Sequence, residues 1–175
     1  MEKRLSRWGV GPRISVVAVA YAVVAGAATY AWPDVCLMQF LPRAVFVGIA
    51  AVLLAVGIPM LLVAGATVMR AYNRDELVTS GVFAVVRHPI YSAWIVWIVP
   101  GLVLLTQSWP LLLTPCVAYF RFKSVIHRED DYLQRRFGPA YDTYRSRVNE
   151  LFPFPHFQPH WHAPKFARAG RSHAK

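Results

Sequence analysis

Three uncharged apolar runs constrain this chain more than any other feature. They are "ISVVAVAYAVVAGAATYAW" (residues 14–32), "AVFVGIAAVLLAVGIPMLLVAGATVM" (44–69) and "IYSAWIVWIVPGLVLLTQSW" (90–109). About 20 apolar residues in a helix cross the hydrocarbon of a bilayer, so each run is long enough alone. A fourth run, "PLLLTPCVAYF" (110–120), is short and reaches spanning length only if Arg121 and Lys123 snorkel to the interface. Apolar residues make up 56% of the 175, and the mean hydropathy of +0.36 is too high for an ordinary soluble domain. The expected fold is all-α: an integral membrane protein with about four transmembrane helices and interfacial C-terminal helices on the cytosolic side.

Charge gives the sidedness. Of the 19 Lys and Arg, all but Arg43 fall before the first run, between the second and third, or after the fourth. With four spans these three regions share one side, and the positive-inside rule predicts that both termini are cytosolic. The net charge of +10 then matches anionic lipid headgroups and calls for no nucleic acid. The first run is longer than a signal-peptide core, so it is read as a retained helix. Cys36 and Cys116 stand alone, with no Cys/His cluster at metal-ligand spacing, and no metal site is expected. His156, His160, His162 and His173 lie in a Pro- and Arg-containing tail expected to be without fixed structure.

Three regions follow. Residues 1–69 form an N-terminal transmembrane hairpin with little chemistry. Residues 70–155 carry the polar stretches, and 156–175 form the basic tail. Two polar stretches stand out, at 69–91 and 127–155. A tight turn at "TQSW" makes the third and fourth helices antiparallel, so both stretches meet at one membrane face. In the second stretch Leu133, Phe137, Tyr141, Tyr144 and Val148 recur at helical spacing, interrupted by Gly138-Pro139. Basic residues flank this stripe, which suits a helix on a membrane surface or one docked on its own protein.

The first stretch ends in "RHPIY" (87–91). Pro89 lacks an N–H and suits the first turn of the third helix, whose free amides and dipole favour an anion. Arg87 adds a fixed charge and His88 a donor or acceptor. Asp75 and Glu76 lie upstream; Arg128, Glu129 and Asp130 lie downstream. Such groups at one face suit a ligand carrying both signs, such as an amino-acid zwitterion or a sulfonium. They equally suit an interfacial anchor in which Arg87 pairs with Glu129.

"DELVTSGVFAVVRHPIYSAW", a short hairpin, and then "ED..L...FG.AY..Y..RV...FP" resemble the isoprenylcysteine carboxyl methyltransferase family. The resemblance runs from about Asp75 to Pro153. The broader group includes phospholipid N-methyltransferases, and membrane sterol reductases share a related C-terminal half. The family implies an integral membrane enzyme using S-adenosylmethionine, with Arg87, His88, Tyr91 and Glu129 in catalysis. Carried over by position, the cofactor is held by Glu76, Leu77, Val78, Phe83, His88, Pro89, Ile90, Tyr91 and Glu129. Phe83 stands where relatives often have Tyr, and Asp130 where they have a second Glu. Val125 stands where eukaryotic members have an arginine implicated in binding the substrate carboxylate, which leaves Arg121 and Lys123 for that role.

The resulting expectation is methylation of the carboxylate of an isoprenylated or S-alkylated cysteine, or a similar apolar acceptor, in a bacterial inner membrane or the endoplasmic reticulum. A carboxylate needs no general base, whereas the amine of phosphatidylethanolamine does. Phosphatidylethanolamine N-methylation is the alternative, and a membrane scaffold with a relic pocket is the non-enzyme alternative. There is no GxGxxG loop, in keeping with a cofactor pocket outside the Rossmann fold.

Overall fold

The computed structural model describes residues 11–74, 76–153 and 166–168. Asp75, the basic residues before Gly11 and the four tail histidines lie outside the described residues. Helix α1 (Gly11–Ala31) leads through a short α2 (Pro33–Cys36) into α3 (Arg43–Arg74). Strand β1 (Glu76–Val78) and a 3-10 turn (Gly81–Ala84) follow. A long helix then runs as α4 (Pro89–Ser92), a π segment (Ala93–Ile98) and α5 (Val99–Thr106). The chain turns through a second 3-10 turn (Leu111–Leu113) into α6 (Thr114–Val125), α7 (His127–Phe137) and α8 (Pro139–Arg147).

Among the described residues, three helices are long and apolar enough to cross a membrane: Ile14–Ala31, Arg43–Ala71 and Pro89–Thr106. Much of their surface is apolar and exposed, including Val16, Val24, Val52 and Leu62, as a lipid-facing surface requires. The fourth expected span is the shortest. Its run is spent partly on the turn and the 3-10 segment, leaving α6 with 12 residues. At 1.5 Å per residue that is about 18 Å, short of the roughly 30 Å hydrocarbon core. The hairpin still returns, because α7 comes back to the start of α4. Ile14 near the start of α1 packs with Phe122, Val125, Ile126 and Leu151, so these chain segments gather at one end of the bundle.

At the opposite end the two short connections lock together. Met38 N–H donates to Gln107 O (2.7 Å) and Trp109 N–H to Cys36 O (3.1 Å). The Tyr21 hydroxyl donates to Pro110 O (2.9 Å), and Thr29 shares a 2.6 Å hydrogen bond with Ser108. These bonds satisfy polar groups that lipid cannot.

The π segment has a local cause. Pro100 supplies no amide to close an α-turn, and the widened turn immediately before it absorbs the mismatch. Helix α3 packs closely on this segment because Gly57 lacks a side chain. A Cβ there would lie 2.7 Å from Trp97 Cβ and 2.9 Å from Ile98 Cγ1. Small residues permit such approach between membrane helices.

The amphipathic stripe is docked on its own protein. Tyr141, Tyr144 and Val148 form a buried cluster with Leu77 of β1, and Leu133 and Phe137 pack against it. The break between α7 and α8 is Gly138, at φ 53°. Phe166–Arg168 form strand β2, antiparallel to β1 with Glu76 opposite Arg168.

Candidate functional site

The site forms where the start of α4 meets the first turn of α7. His88 is the N-cap of α4, and Pro89 opens the helix as its position requires. The segment is clamped from behind: Arg87 N–H donates to Asn149 O (2.7 Å) and His88 N–H to Glu150 O (3.1 Å). These bonds use the two amides that precede the helix and fix how Arg87 and His88 enter the site.

Two adjacent acids of α7 divide their partners. His88 Nε2 lies 3.1 Å from Asp130 Oδ1, and His88 Nδ1 lies 3.8 Å from Glu129 Oε1. The Tyr91 hydroxyl donates to Glu129 Oε2 at 3.0 Å. The His88 ring is packed edge-on to Phe122 (5.9 Å, 72°) and tilted against Tyr91 (6.0 Å, 54°). Asp130 is buried, whereas the Glu129 side chain keeps 22% of its surface exposed. Glu129 is thus the acid that a ligand can reach.

Arg87 does not pair with Glu129, as an interfacial anchor would. Its Nη1 lies 3.6 Å from Asp130 Oδ2 and its Nη2 lies 3.7 Å from Glu150 Oε1. Glu150 also accepts a 2.5 Å hydrogen bond from Lys123, and Arg145 stands 4.0 Å from Asp130. Burial acts to raise the Asp130 pKa, but hydrogen bonds from His88 and Tyr141, with the charges of His88 and Arg87, outweigh it and hold the carboxyl at about 2. Burial, reinforced by the bond to Asp130, pushes the Tyr141 hydroxyl up, and burial does the same to Tyr144. Tyr144 donates to Phe83 O at 2.6 Å and so fixes the loop before His88.

Among the described residues, Arg87 Nε and Nη1 and Ser92 Oγ are buried without a hydrogen-bond partner. Arg87 Nη1 still faces Asp130 Oδ2, so Arg87 Nε and Ser92 Oγ are the buried donors left over here.

The sequence-predicted residues separate into two groups. Arg87, His88, Tyr91 and Glu129 come together as one cluster. Leu77 is buried against α8, while Val78, Phe83 and Ile90 pack with Ala64, Val68 and Ala71 of α3, so these side chains hold the loop. Pro89 is fully buried, and Glu76 sits on β1. Lys123 is exposed and joined to the cluster through Glu150, whereas Arg121 Nη1 bonds Ser124 Oγ and its Nε is buried without a partner. Sequence reasoning left three residues without their structural role. Asp130 was read as a substituted acid of a pair, and Tyr141 as part of an apolar stripe. Glu150 carried no periodic signal.

Residues 44–135 match the family model described as the isoprenylcysteine carboxyl methyltransferase (ICMT) family. Protein-S-isoprenylcysteine O-methyltransferase B of Arabidopsis thaliana is 34% identical over 86 residues, covering 49% of this chain and 44% of its own. The Schizosaccharomyces pombe protein-S-isoprenylcysteine O-methyltransferase is 37% identical over 82 residues, 46% of this chain and 35% of its own. Nickel-cobalt-cadmium resistance protein NccN of Alcaligenes xylosoxydans xylosoxydans is 39% identical over 114 residues, 60% of this chain and 52% of its own. The chain spans about half the length, or less, of these relatives. No solved structure matches it.

Proposed function

The chain belongs to the isoprenylcysteine carboxyl methyltransferase family, and from that premise we propose that it transfers a methyl group from S-adenosylmethionine to the carboxylate of an isoprenylated or S-alkylated cysteine, or a similar apolar acceptor. The observation that carries this reading is the cluster of His88, Tyr91 and Glu129 at the membrane-embedded helix start, with the unmatched Arg87 Nε beside it.

These residues suit the cofactor. Glu129 Oε1 and the facing His88 nitrogen draw a cationic group, and Arg87 Nε has an N–H left for a carboxylate. S-adenosylmethionine, when bound, supplies an electrophilic methyl on a sulfonium. The Tyr91 hydroxyl holds one oxygen of Glu129 and leaves the other toward the ligand. Phe122 and the ring of Tyr91 (5.3 Å apart) wall the cluster with apolar surface, which excludes water from the charged groups. A carboxylate acceptor arrives ionised, so no side chain has to remove a proton. Arg121 and Lys123 of α6 are the cations offered for that carboxylate; two residues apart, they lie on different sides of the helix, so one of them meets it. The positive-inside distribution supports a cytosolic site and cytosolic termini, with the lipid arm of the acceptor remaining in the bilayer.

The experiment is methyl transfer by the protein in lipid nanodiscs, with labelled S-adenosylmethionine and either N-acetyl-S-farnesylcysteine or phosphatidylethanolamine. The expected product is a methyl ester, recognised by release of labelled methanol in alkali. Base-stable label on phosphatidylethanolamine would instead favour the amine acceptor. No transfer to either by a folded protein would favour the scaffold reading.

The likeness to the nickel-cobalt-cadmium resistance protein is higher in identity and longer than the other two, and it favours a second reading, of setting. In this reading the proposed methyl transfer serves tolerance to those metals. Loss of the gene would then lower the nickel, cobalt or cadmium concentration that the cell survives; unchanged tolerance would remove this reading.

A further inference from the structure

We propose that Asp130 is a positioning residue that sets which nitrogen of His88 carries a proton, and that Arg87 and Tyr141 hold Asp130 in place for this purpose. The inference rests on the reading of His88 and Glu129 as ligand-facing groups.

The apolar packing around His88 does not choose a ring orientation. Its contacts with Phe122 and Tyr91 are ring-to-ring and tolerate a 180° flip, which would exchange nitrogen and carbon positions. The choice falls to polar partners. On one side Asp130 Oδ1 stands 3.1 Å from Nε2. Asp130 is 3% exposed, so water does not substitute for it. The same Oδ1 accepts from the Tyr141 hydroxyl, while Oδ2 faces Arg87 at 3.6 Å and Arg145 at 4.0 Å. Tyr141, Arg87 and Arg145 converge on this carboxylate, and a hydroxyl donor and two fixed positive charges all favour its ionised form.

An ionised carboxylate only accepts. The hydrogen between Nε2 and Oδ1 therefore sits on Nε2. In the neutral ring Nδ1 is then an acceptor, 3.8 Å from another acceptor, Glu129 Oε1. Two acceptors at that separation suit one shared donor from a ligand. The adjacent acids thus act differently: Glu129 meets the ligand, and Asp130 prepares the histidine that meets it. The logic is that of the buried aspartate behind a working imidazole, whose amide variant admits the wrong tautomer.

The experiment is two-bond proton–nitrogen correlation on the full-length, histidine-labelled protein in detergent, with the His88 signals identified by their loss in His88→Gln. Wild type is expected to show Nε2 protonated, as the Nε2–H tautomer or the cation. A neutral His88 with its proton on Nδ1 overturns the proposal, whether or not any variant folds. In Asp130→Asn, checked as folded by circular dichroism, an Nδ1–H population should appear and methyl transfer should fall on the order of tenfold or more, the scale for losing an orienting partner. Folded Asp130→Asn with an unchanged tautomer overturns the proposal and leaves the methyltransferase reading standing. Absent transfer in a wild type with the expected tautomer contradicts that reading instead.

Discussion

Tyr91→Phe removes one hydroxyl and leaves the ring that packs on Phe122 and His88. The lost contact is a 3.0 Å hydrogen bond to Glu129 Oε2. A hydrogen bond to a charged group contributes about 1.5–3 kcal/mol, more than one between neutral groups. Glu129 is 22% exposed, so water partly replaces the hydroxyl and the low end applies, about 1.5 kcal/mol. If Glu129 must be held in place to meet the cofactor, that loss appears as about a tenfold weaker Kd for S-adenosylmethionine. Calorimetric titration of S-adenosylmethionine and S-adenosylhomocysteine into the detergent-purified variant measures it. The unfolding midpoint should move little, because the ring contacts remain. An unchanged Kd in a folded Tyr91→Phe would refute the reasoning that this hydroxyl orients Glu129 for the ligand.

Three further outcomes are expected. Gly57→Ala forces a Cβ against Trp97 and Ile98 and should cost about 1–3 kcal/mol, read as a lower thermal midpoint, whereas Gly48→Ala has open space around it and should gain slightly. Tyr144→Phe leaves the Phe83 carbonyl without its donor and should cost about 1–3 kcal/mol in the same assay. Asp130 is held at about 2 against an ordinary 3.8, so its contribution of about 2 kcal/mol is present above pH 4 and lost as pH falls toward 2. Thermal midpoints across that window should fall in wild type and lose that part of their slope in Asp130→Asn.

The spans were legible because lipid demands long uncharged runs, and the meeting of the two polar stretches followed from a turn too short to allow anything but an antiparallel hairpin. The same patterning did not show how short α6 is, because hydropathy does not register that Pro110 and the 3-10 turn Leu111–Leu113 take up the start of the run. The stripe from Leu133 to Val148 showed that one helix face is covered; only the fold shows that Leu77 of β1 covers it rather than lipid. Glu129 and Asp130 are neighbours in sequence, and the helix phase alone decides which is buried. Glu150 and the carbonyl of Asn149 act from irregular backbone, where no period exists to read. The strand pairing of β1 with Phe166–Arg168 is three residues long, below any pattern that composition reveals.

The central claim is that the cluster at the start of α4 holds S-adenosylmethionine. Calorimetric titration of that cofactor into wild type, His88→Ala and Glu129→Gln tests it most directly. The account predicts micromolar binding to wild type, lost or greatly weakened in both variants while each stays folded. Equal binding by all three, or no binding by a folded wild type even with S-farnesylcysteine present, would contradict it.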